Sequence, residues 1–160
     1  MGNGKIKLAR STEEFRNYVT FLMENRFDEL LGFYHQKAIE LGIEPLKKNS
    51  REYSPERYSM MARHMTMLLT AFKESRLIEH MNGVVSLFIK NQIPEVEFSE
   101  EGTLMLIKVV DCNIFAMIKL LPDFTQDPYL QNQIILEIHE KFSLFKQEIF
   151  RAYLDGSRGN

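Results

Sequence analysis

The sequence predicts an all-α protein, and three observations support this fold class. Apolar residues recur at helical spacing in almost every segment, and residues typical of helix ends separate the segments. No segment alternates apolar and polar residues over a length that could found a sheet. The chain has 160 residues, enough for one ordinary domain but too few for two. We therefore expect one helical domain that buries about 70% of its unfolded surface.

The first two helices are marked by a cap, a change of phase and a glycine. Ser11 and Glu14 have the spacing of a capping box and predict the start of the first helix. The apolar phase resets near Asn25, which predicts that a second helix follows. Gly42 is expected to end this helix. The apolar stripe of the second helix comprises Phe27, Leu30, Leu31, Tyr34, Ala38 and Leu41.

The middle of the chain contains a polar connection and two further helices. Residues 41–54 form the connection. Ser54 and Pro55 predict the N-cap and first position of a third helix, because the N–H that proline lacks has no partner there anyway. This helix should run to about Ser75, and a shorter fourth helix should cover about residues 77–91.

Two long helices follow in the last third of the sequence. Ser99 caps a fifth helix that should reach Leu121, and Asp127 with Pro128 begins a last helix that should reach Leu154. Because only a short turn joins them, these two helices are expected to be antiparallel neighbours.

These helix limits predict the domain boundaries. We expect an N-terminal tail at residues 1–10, a single domain at residues 11–154 and a C-terminal tail at residues 155–160. Gly156 lies just past the expected end of the last helix, where glycine is common.

Charge and composition exclude several classes of protein. A net charge of −2 provides no electrostatic footprint for nucleic acid. The longest apolar stretch, at residues 104–121, is interrupted by charged and amide side chains, so no membrane span is expected. The N-terminal residues lack the apolar core of a signal peptide, and the single Cys112 fits a reducing compartment. We therefore expect a cytoplasmic protein.

Sequence motifs for catalysis or metal binding are absent. There is no phosphate-binding glycine loop, no H-E-x-x-H and no C-x-x-C. The four histidines belong to four different predicted helices, so none forms an i, i+4 metal pair. Cys112 lies mid-helix among apolar residues, where a thiol is buried and inert. We therefore expect neither an enzyme nor a metal site.

Three polar residues occupy positions where the helical wheel favours apolar side chains. These residues are Tyr34, His64 and Asn113. A buried polar group needs a partner or costs about 1–3 kcal/mol. Each either bonds a nearby carbonyl or a trapped water, or several of them line one cavity and hold the polar end of a ligand. The methionines allow the same two interpretations, as core filler or as an adaptable apolar lining.

Three segments carry a family resemblance. They read ENRFDELLGFYHQKAIEL, SPERYSMMARHMTMLLTAF and KFSLFKQEIFRAYLDG, with a broken apolar helix between the second and the third. In this order they resemble the non-haem globin sensor domains of bacterial stressosome proteins and sporulation histidine kinases. Stand-alone sporulation-inhibitory proteins of this family, which the chain resembles most, consist of the sensor domain without the kinase. The resemblance covers residues 11–154, and LFKQEIFRAYL is its most specific part.

The resemblance implies a fold, a partner and a ligand class. The fold would be globin-like, and the helices at 104–121 and 128–154 would form a dimer bundle with a second subunit. A hydrophobic tunnel would take a fatty-acid-like ligand, and no haem is expected. No kinase module follows Leu154 in the sequence. The expected role is therefore to inhibit sporulation or regulate stress signalling by competing with, or modulating, a sensor histidine kinase.

The candidate ligand-binding residues come from the helical wheels. The ligand's tail would pack on phenylalanine and methionine side chains, and its polar end would lie near His64 or Asn113. Burying a ten-carbon tail is worth about 8 kcal/mol before the costs of binding. The candidates are Phe33, Tyr34, Met61, His64, Met65, Phe88, Met105, Asn113 and Phe115.

Three alternatives remain open at this point. The first is a haem-binding globin sensor with His80 as the proximal ligand. His80 lies only 16 positions after His64, which leaves little room for two axial groups on opposite sides of a haem. The second is a helical protein–protein adaptor with a filled core. The third is an unrelated helical enzyme, for which the sequence offers no candidate residues.

Overall fold

The fold is all-helical in the part of the chain that the structure describes, residues 2–43 and 55–158 of a computed structural model. No β-strand occurs within these residues, and Ile93 and Val96 form an isolated β-bridge. The predicted fold class, all-α, is confirmed. The helices are α1 (Gly2–Ala9), α2 (Glu13–Asn25), α3 (Phe27–Glu40), α4 (Pro55–Lys73), α5 (Leu77–Ile89), α6 (Glu100–Lys119), α7 (Leu121–Phe124) and α8 (Pro128–Arg158).

Two of the expected helix starts are confirmed by their capping bonds. The Ser99 hydroxyl accepts a hydrogen bond from the Gly102 amide at 3.0 Å, at the start of α6. The Asp127 carboxylate accepts one from the Tyr129 amide at 3.0 Å, at the start of α8. Ser54 lies outside the described residues, so its expected role as the cap of α4 has no structural counterpart here.

The expected start of the first helix was wrong by one residue. Thr12, rather than Ser11, is the N-cap of α2, and its hydroxyl accepts a hydrogen bond from the Phe15 amide at 3.2 Å. The Ser11 hydroxyl instead donates to the carbonyl of Phe72 at 2.6 Å. The Ser11 hydroxyl, which the local pattern assigned to the cap, therefore bonds a residue that is distant in the sequence.

Within residues 2–43 and 55–158, three helix ends use the left-handed backbone conformation. Gly42, with φ of 70°, follows α3 as expected. Ser75 and Asn91 take the same conformation after α4 and α5, with φ of 55° and 59°. Asparagine tolerates this conformation better than most residues, whereas serine has no such preference.

Both expected tails contain helical residues. Helix α1 covers most of residues 1–10, and α8 continues through Gly156 to Arg158. Gly156 therefore does not end the last helix. A side chain at this position would meet the ring of Phe98, because an added Cβ would lie 2.5 Å from the Phe98 Cζ atom. The glycine is required by close packing.

The core lies where α2, α4, α6 and α8 meet. Phe72 contacts Phe15 and Phe142 edge to face, with ring centroids 5.3 and 5.4 Å apart. The buried Tyr18 hydroxyl donates to the carbonyl of Met117, and burial, followed by Asp123, raises the pKa of this phenol. Tyr18 thus satisfies its polar group inside the core, as buried tyrosines usually do.

Helices α6 and α8 pack along each other and run antiparallel, as expected. Phe98, just before α6, contacts Tyr153 near the end of α8, with ring centroids 6.0 Å apart. In the middle of the pair, the Lys146 ammonium lies 2.6 Å from the Asp111 carboxylate. Contacts therefore join the beginning of one helix to the end of the other.

A buried polar cluster fastens the N-terminal residues to α8. Lys141, only 1% exposed, donates to the carbonyls of Leu8 and Arg10 at 3.2 and 3.0 Å. Its ammonium also lies 2.9 Å from the Glu137 carboxylate. Glu137 in turn accepts hydrogen bonds from the Thr12 amide and hydroxyl at 3.1 and 2.7 Å. We call these residues (Leu8, Arg10, Thr12, Glu137 and Lys141) the Lys141 cluster.

None of the described helices combines the length and the apolar character that a membrane crossing requires.

Candidate ligand-binding cavity

A cavity of about 390 Å³ lies among α3, α4, α5, α6 and α8. The connection at residues 90–99, between α5 and α6, supplies a further wall. This volume is within the range of small-molecule sites, which is roughly 300–1,000 Å³. The cavity therefore has the size of a site for a small ligand.

The interior of the cavity is apolar and contributed by several helices. Helix α4 supplies methionines, α6 supplies valines, and α8 supplies aromatic residues from its buried stripe. Two lining residues, Met67 and Leu87, are 52% and 45% exposed, so they mark a rim where the cavity meets solvent. Further apolar lining residues are Met60, Leu68, Val84, Leu106, Val109, Val110, Phe142, Phe145 and Ile149.

The structure brings together six of the nine candidate residues from the sequence. All six line this cavity, although they come from three different helices. They are Tyr34, Met61, His64, Met65, Met105 and Asn113.

The other three candidates, all phenylalanines, do not line the cavity. Phe33 and Phe115 pack edge to face with ring centroids 6.4 Å apart, and Lys119 and Lys37 cover them. Phe88 is fully buried against Phe98, at 4.9 Å between centroids. Helical periodicity placed these rings on inward faces, but neighbouring side chains fill the space beside them.

Asn113 satisfies part of its hydrogen-bonding capacity within its own helix. Its side-chain amide donates to the carbonyl of Val109 at 3.0 Å. Asn113 is 8% exposed and lines the cavity. The sequence allowed either a bond to a nearby carbonyl or a place in a cavity wall, and the Asn113 side chain has both. An asparagine side chain also carries an oxygen acceptor, which a ligand hydroxyl or protonated carboxyl can use.

Two histidines, two arginines and a glutamate give the cavity its polar edge, and two of them, Arg57 and Glu95, form an ion pair. His64 and Arg63 belong to α4, His80 belongs to α5, and all three line the cavity. His64 is exposed, although the helical wheel placed it on an apolar face, and His80 is half-buried. Partial burial of the imidazole and then the nearby Arg63 lower the pKa of His64, while burial and then His64 lower the pKa of His80. Within the described residues, no carboxylate forms an ion pair with Arg63.

The lowered histidine pKa values predict a pH-dependent stability. In the range between the folded and unfolded pKa values the unfolded chain binds more protons, so stability falls as the pH drops below about 6.5. Replacing both histidines, His64→Gln and His80→Gln, should flatten this decline. Chemical denaturation between pH 7.5 and 5 measures it, and identical slopes for the parent and the double variant would contradict the prediction.

Several lining residues were missed from the sequence although a signal was present. Phe142, Phe145 and Ile149 lie on the apolar stripe of the last helix. Arg63 lies three and four positions from Met60 and Met67, which also line the cavity. The residues at 93–96 carried no such signal, because their position depends on how the connection folds back.

Cys112 lies outside the cavity and is fully buried, as expected. Burial, followed by the adjacent Asp111, raises the pKa of its thiol to about 12. A thiol with this pKa is protonated at neutral pH and is a poor nucleophile.

No group of three or more metal-ligating side chains occurs within residues 2–43 and 55–158. The chain matches no protein-family model, no curated protein and no solved structure.

Proposed function

We propose that this protein is a non-catalytic sensor domain that binds a fatty-acid-like effector in the cavity. The observation that carries the proposal is an apolar interior of suitable volume beside a cationic and imidazole edge. An alkyl chain gains about 0.8 kcal/mol for each methylene it buries, and a carboxylate favours a nearby arginine or a protonated histidine. Met61, Met65 and Met105 provide a lining that adapts to a flexible chain.

The polar end of the effector would lie near Arg63, His64 and His80. Arg63 is the always-charged member of this group, so it can attract a carboxylate without a change of pH. Asn113 lies among the apolar lining and would contact the ligand along its length or at its end. This arrangement suits a ligand that has one long apolar chain and a single acidic group at its end.

We further propose a globin-like fold and a homodimer formed through α6 and α8. Along α8, the exposed Tyr129, Leu136 and Phe150 share one heptad phase, which the exposed Ser143 interrupts. Exposed apolar residues at heptad spacing are common on a helix that packs against a partner helix. Leu104 of α6, which is 50% exposed, adds to the unpartnered apolar surface. The partner proposed for both helices is a second copy of this chain.

In the proposed mechanism, the filled and empty cavities favour different packing of the helices. A ligand shifts such an equilibrium only by its difference in affinity for the two states. The protein would regulate sporulation or stress signalling in the cytoplasm by competing with a sensor histidine kinase for the effector, or by modulating that kinase. The sequence resemblance supports this biological role, and the cavity supports the ligand class.

Native mass spectrometry of gently purified protein tests the proposal. We expect a dimer mass with a co-purified lipid, and a higher melting temperature after a saturated fatty acid is added. A clean apo mass together with no thermal shift on adding fatty acids would reject the proposed ligand class. A monomer mass would reject the dimer.

A haem-binding sensor is the second candidate, and one observation favours it. His64 and His80 come from different helices and line the same cavity. Haem commonly takes histidine as an axial ligand. An absorption spectrum without a Soret band, even after haem is supplied, would dismiss this candidate. A fully packed adaptor is disfavoured by the cavity itself.

A further inference from the structure

The connection between α5 and α6, residues 90–99, closes one side of the cavity. We call it the 90–99 strap. Its central residues, 93–96, line the cavity, and the Val96 amide donates to the Ile93 carbonyl at 3.1 Å to form a tight turn. Two further bonds define its base, because the Gln92 amide donates to the Leu87 carbonyl at 2.8 Å and the Phe98 amide to the Asn91 side chain at 3.0 Å.

The turn of the strap holds a strained backbone. Glu95 follows Pro94 and has φ of 65°, the conformation that glycine or asparagine usually takes at this turn position. A residue with a long side chain remains in such a conformation only when its surroundings hold it there. The strap therefore depends on contacts outside itself.

An ion pair across the cavity edge supplies one such contact. Arg57 of α4 forms two hydrogen bonds with the Glu95 carboxylate, at 2.7 and 3.1 Å. Both residues line the cavity. The two side chains are 26% and 54% exposed, so water competes with the pair and it can open at modest cost.

The other end of the strap contacts the carboxyl-terminal part of α8. Phe98 packs against Phe88 and Tyr153, with ring centroids 4.9 and 6.0 Å away. Gly156 provides the space for this ring, since an added Cβ would lie 2.5 Å from its Cζ atom. A movement of the strap would therefore change the contacts of Phe98 with Tyr153 and Gly156 near the end of α8.

We propose that the 90–99 strap is a gate that widens the opening of the cavity beside Leu87 when the Arg57–Glu95 pair breaks, and that it couples filling of the cavity to the end of α8. The inference deepens the proposed function and rests on it, because it assigns ligand entry and signal output to one segment. Backbone strain at Glu95 favours opening, and the bidentate ion pair opposes it. A bound ligand that presses on residues 93–96 shifts Phe98 against Gly156.

The gate is tested with the variant Glu95→Gln and a polyene fatty acid, cis-parinaric acid, as fluorescent probe. Stopped-flow mixing measures its association and dissociation rates. Both rates should rise about two- to fivefold, which is the range expected for loss of a partly exposed ion pair. Added salt should accelerate exchange in the parent protein but not in the variant. Glu79→Gln is the matched control, because Glu79 pairs with Arg76 at 2.8 Å and does not line the cavity.

The possible outcomes distinguish failure of the gate from failure of the proposed function. Unchanged rates in Glu95→Gln would overturn the gate and leave ligand binding intact. A faster association alone, with a lower Kd, would mean that the substitution only removed a repulsive charge, and this too would overturn it. Failure of the parent protein to bind the probe would reject the proposed function, and the gate with it.

The coupling to α8 is tested by hydrogen exchange. Probe binding should change amide exchange at residues 150–157 in the parent protein. Gly156→Ala, which displaces Phe98, should reduce this change, whereas Gly83→Ala should preserve it, since a Cβ at Gly83 meets nothing within 4 Å. Equal responses in the two variants, or none in the parent protein, would overturn the coupling.

Discussion

Replacing Lys141 by alanine is expected to lower the free energy of unfolding by about 3–5 kcal/mol. The ammonium of Lys141 pairs with Glu137 and donates to the carbonyls of Leu8 and Arg10. Its removal leaves a buried carboxylate without its cation and two carbonyls without their donor. Urea denaturation followed by far-UV circular dichroism measures the loss.

Lys146→Ala is the matched control for this prediction. Lys146 lies on the same helix and pairs with Asp111 at 2.6 Å, but the two side chains are 32% and 41% exposed. Loss of such a pair should cost only about 0–1 kcal/mol. If Lys141→Ala destabilised the protein no more than Lys146→Ala, the Lys141 cluster would not hold the N-terminal residues.

A double variant distinguishes the cost of leaving a buried charge unpaired from the cost of losing side-chain packing. Removing Glu137 together with Lys141 leaves no unpaired buried charge. The combined Glu137→Ala and Lys141→Ala loss should therefore be smaller than the sum of the two single losses. Additive losses would show that the two side chains act independently.

Replacing Val84 by tryptophan is expected to weaken binding of the proposed fatty-acid ligand at least tenfold. Val84 lines the cavity from α5, and the larger indole would occupy space that the alkyl chain needs. A loss of tenfold corresponds to about 1.4 kcal/mol, less than the burial of two methylenes. The chain has no native tryptophan, so the new side chain also reports ligand binding by its own fluorescence.

Val85→Trp is the matched control for the cavity variant. Val85 is the next residue of α5, is likewise half-buried, and does not line the cavity. Its substitution adds the same volume without occupying the site. Titration of both variants with a fatty acid, after far-UV spectra show that both are helical, measures the difference. Equal affinities would contradict the assignment of the cavity as the ligand site.

Local signals predicted helix starts more accurately than the partners of individual side chains. Ser99 and Asp127 cap the helices they were expected to cap, because their partners lie within the next three residues. Ser11 does not, because its hydroxyl bonds the carbonyl of Phe72, 61 residues away. A sequence pattern carries no information on such a distant acceptor.

The burial of Lys141 could not be predicted from the sequence either. It lies three residues after Ile138 on the buried stripe of α8, where a lysine usually extends to solvent along the helix. Its burial requires the carbonyls at the end of α1, a segment that was expected to be a tail. Tertiary contacts alone supply these acceptors.

The candidate site was predicted in part, for a similar reason. Helical periodicity assigned Met61, Met65, Met105 and Asn113 to inward faces, and these residues line the cavity. Periodicity also assigned Phe88 to an inward face, but Phe98 fills the space beside it. A helical wheel distinguishes inward from outward, and it does not distinguish a packed contact from a cavity wall.

By itself, the sequence determined the all-α class, most of the helix limits and most of the inward-facing positions, since these depend on residues within one or two turns of each other. Only the tertiary structure decided which inward faces enclose a cavity, that the 90–99 strap forms one of its walls, and that a buried lysine fastens α1 to α8. Those features depend on contacts between residues far apart in the chain, and the free energy of such contacts is set by the packing of the whole domain.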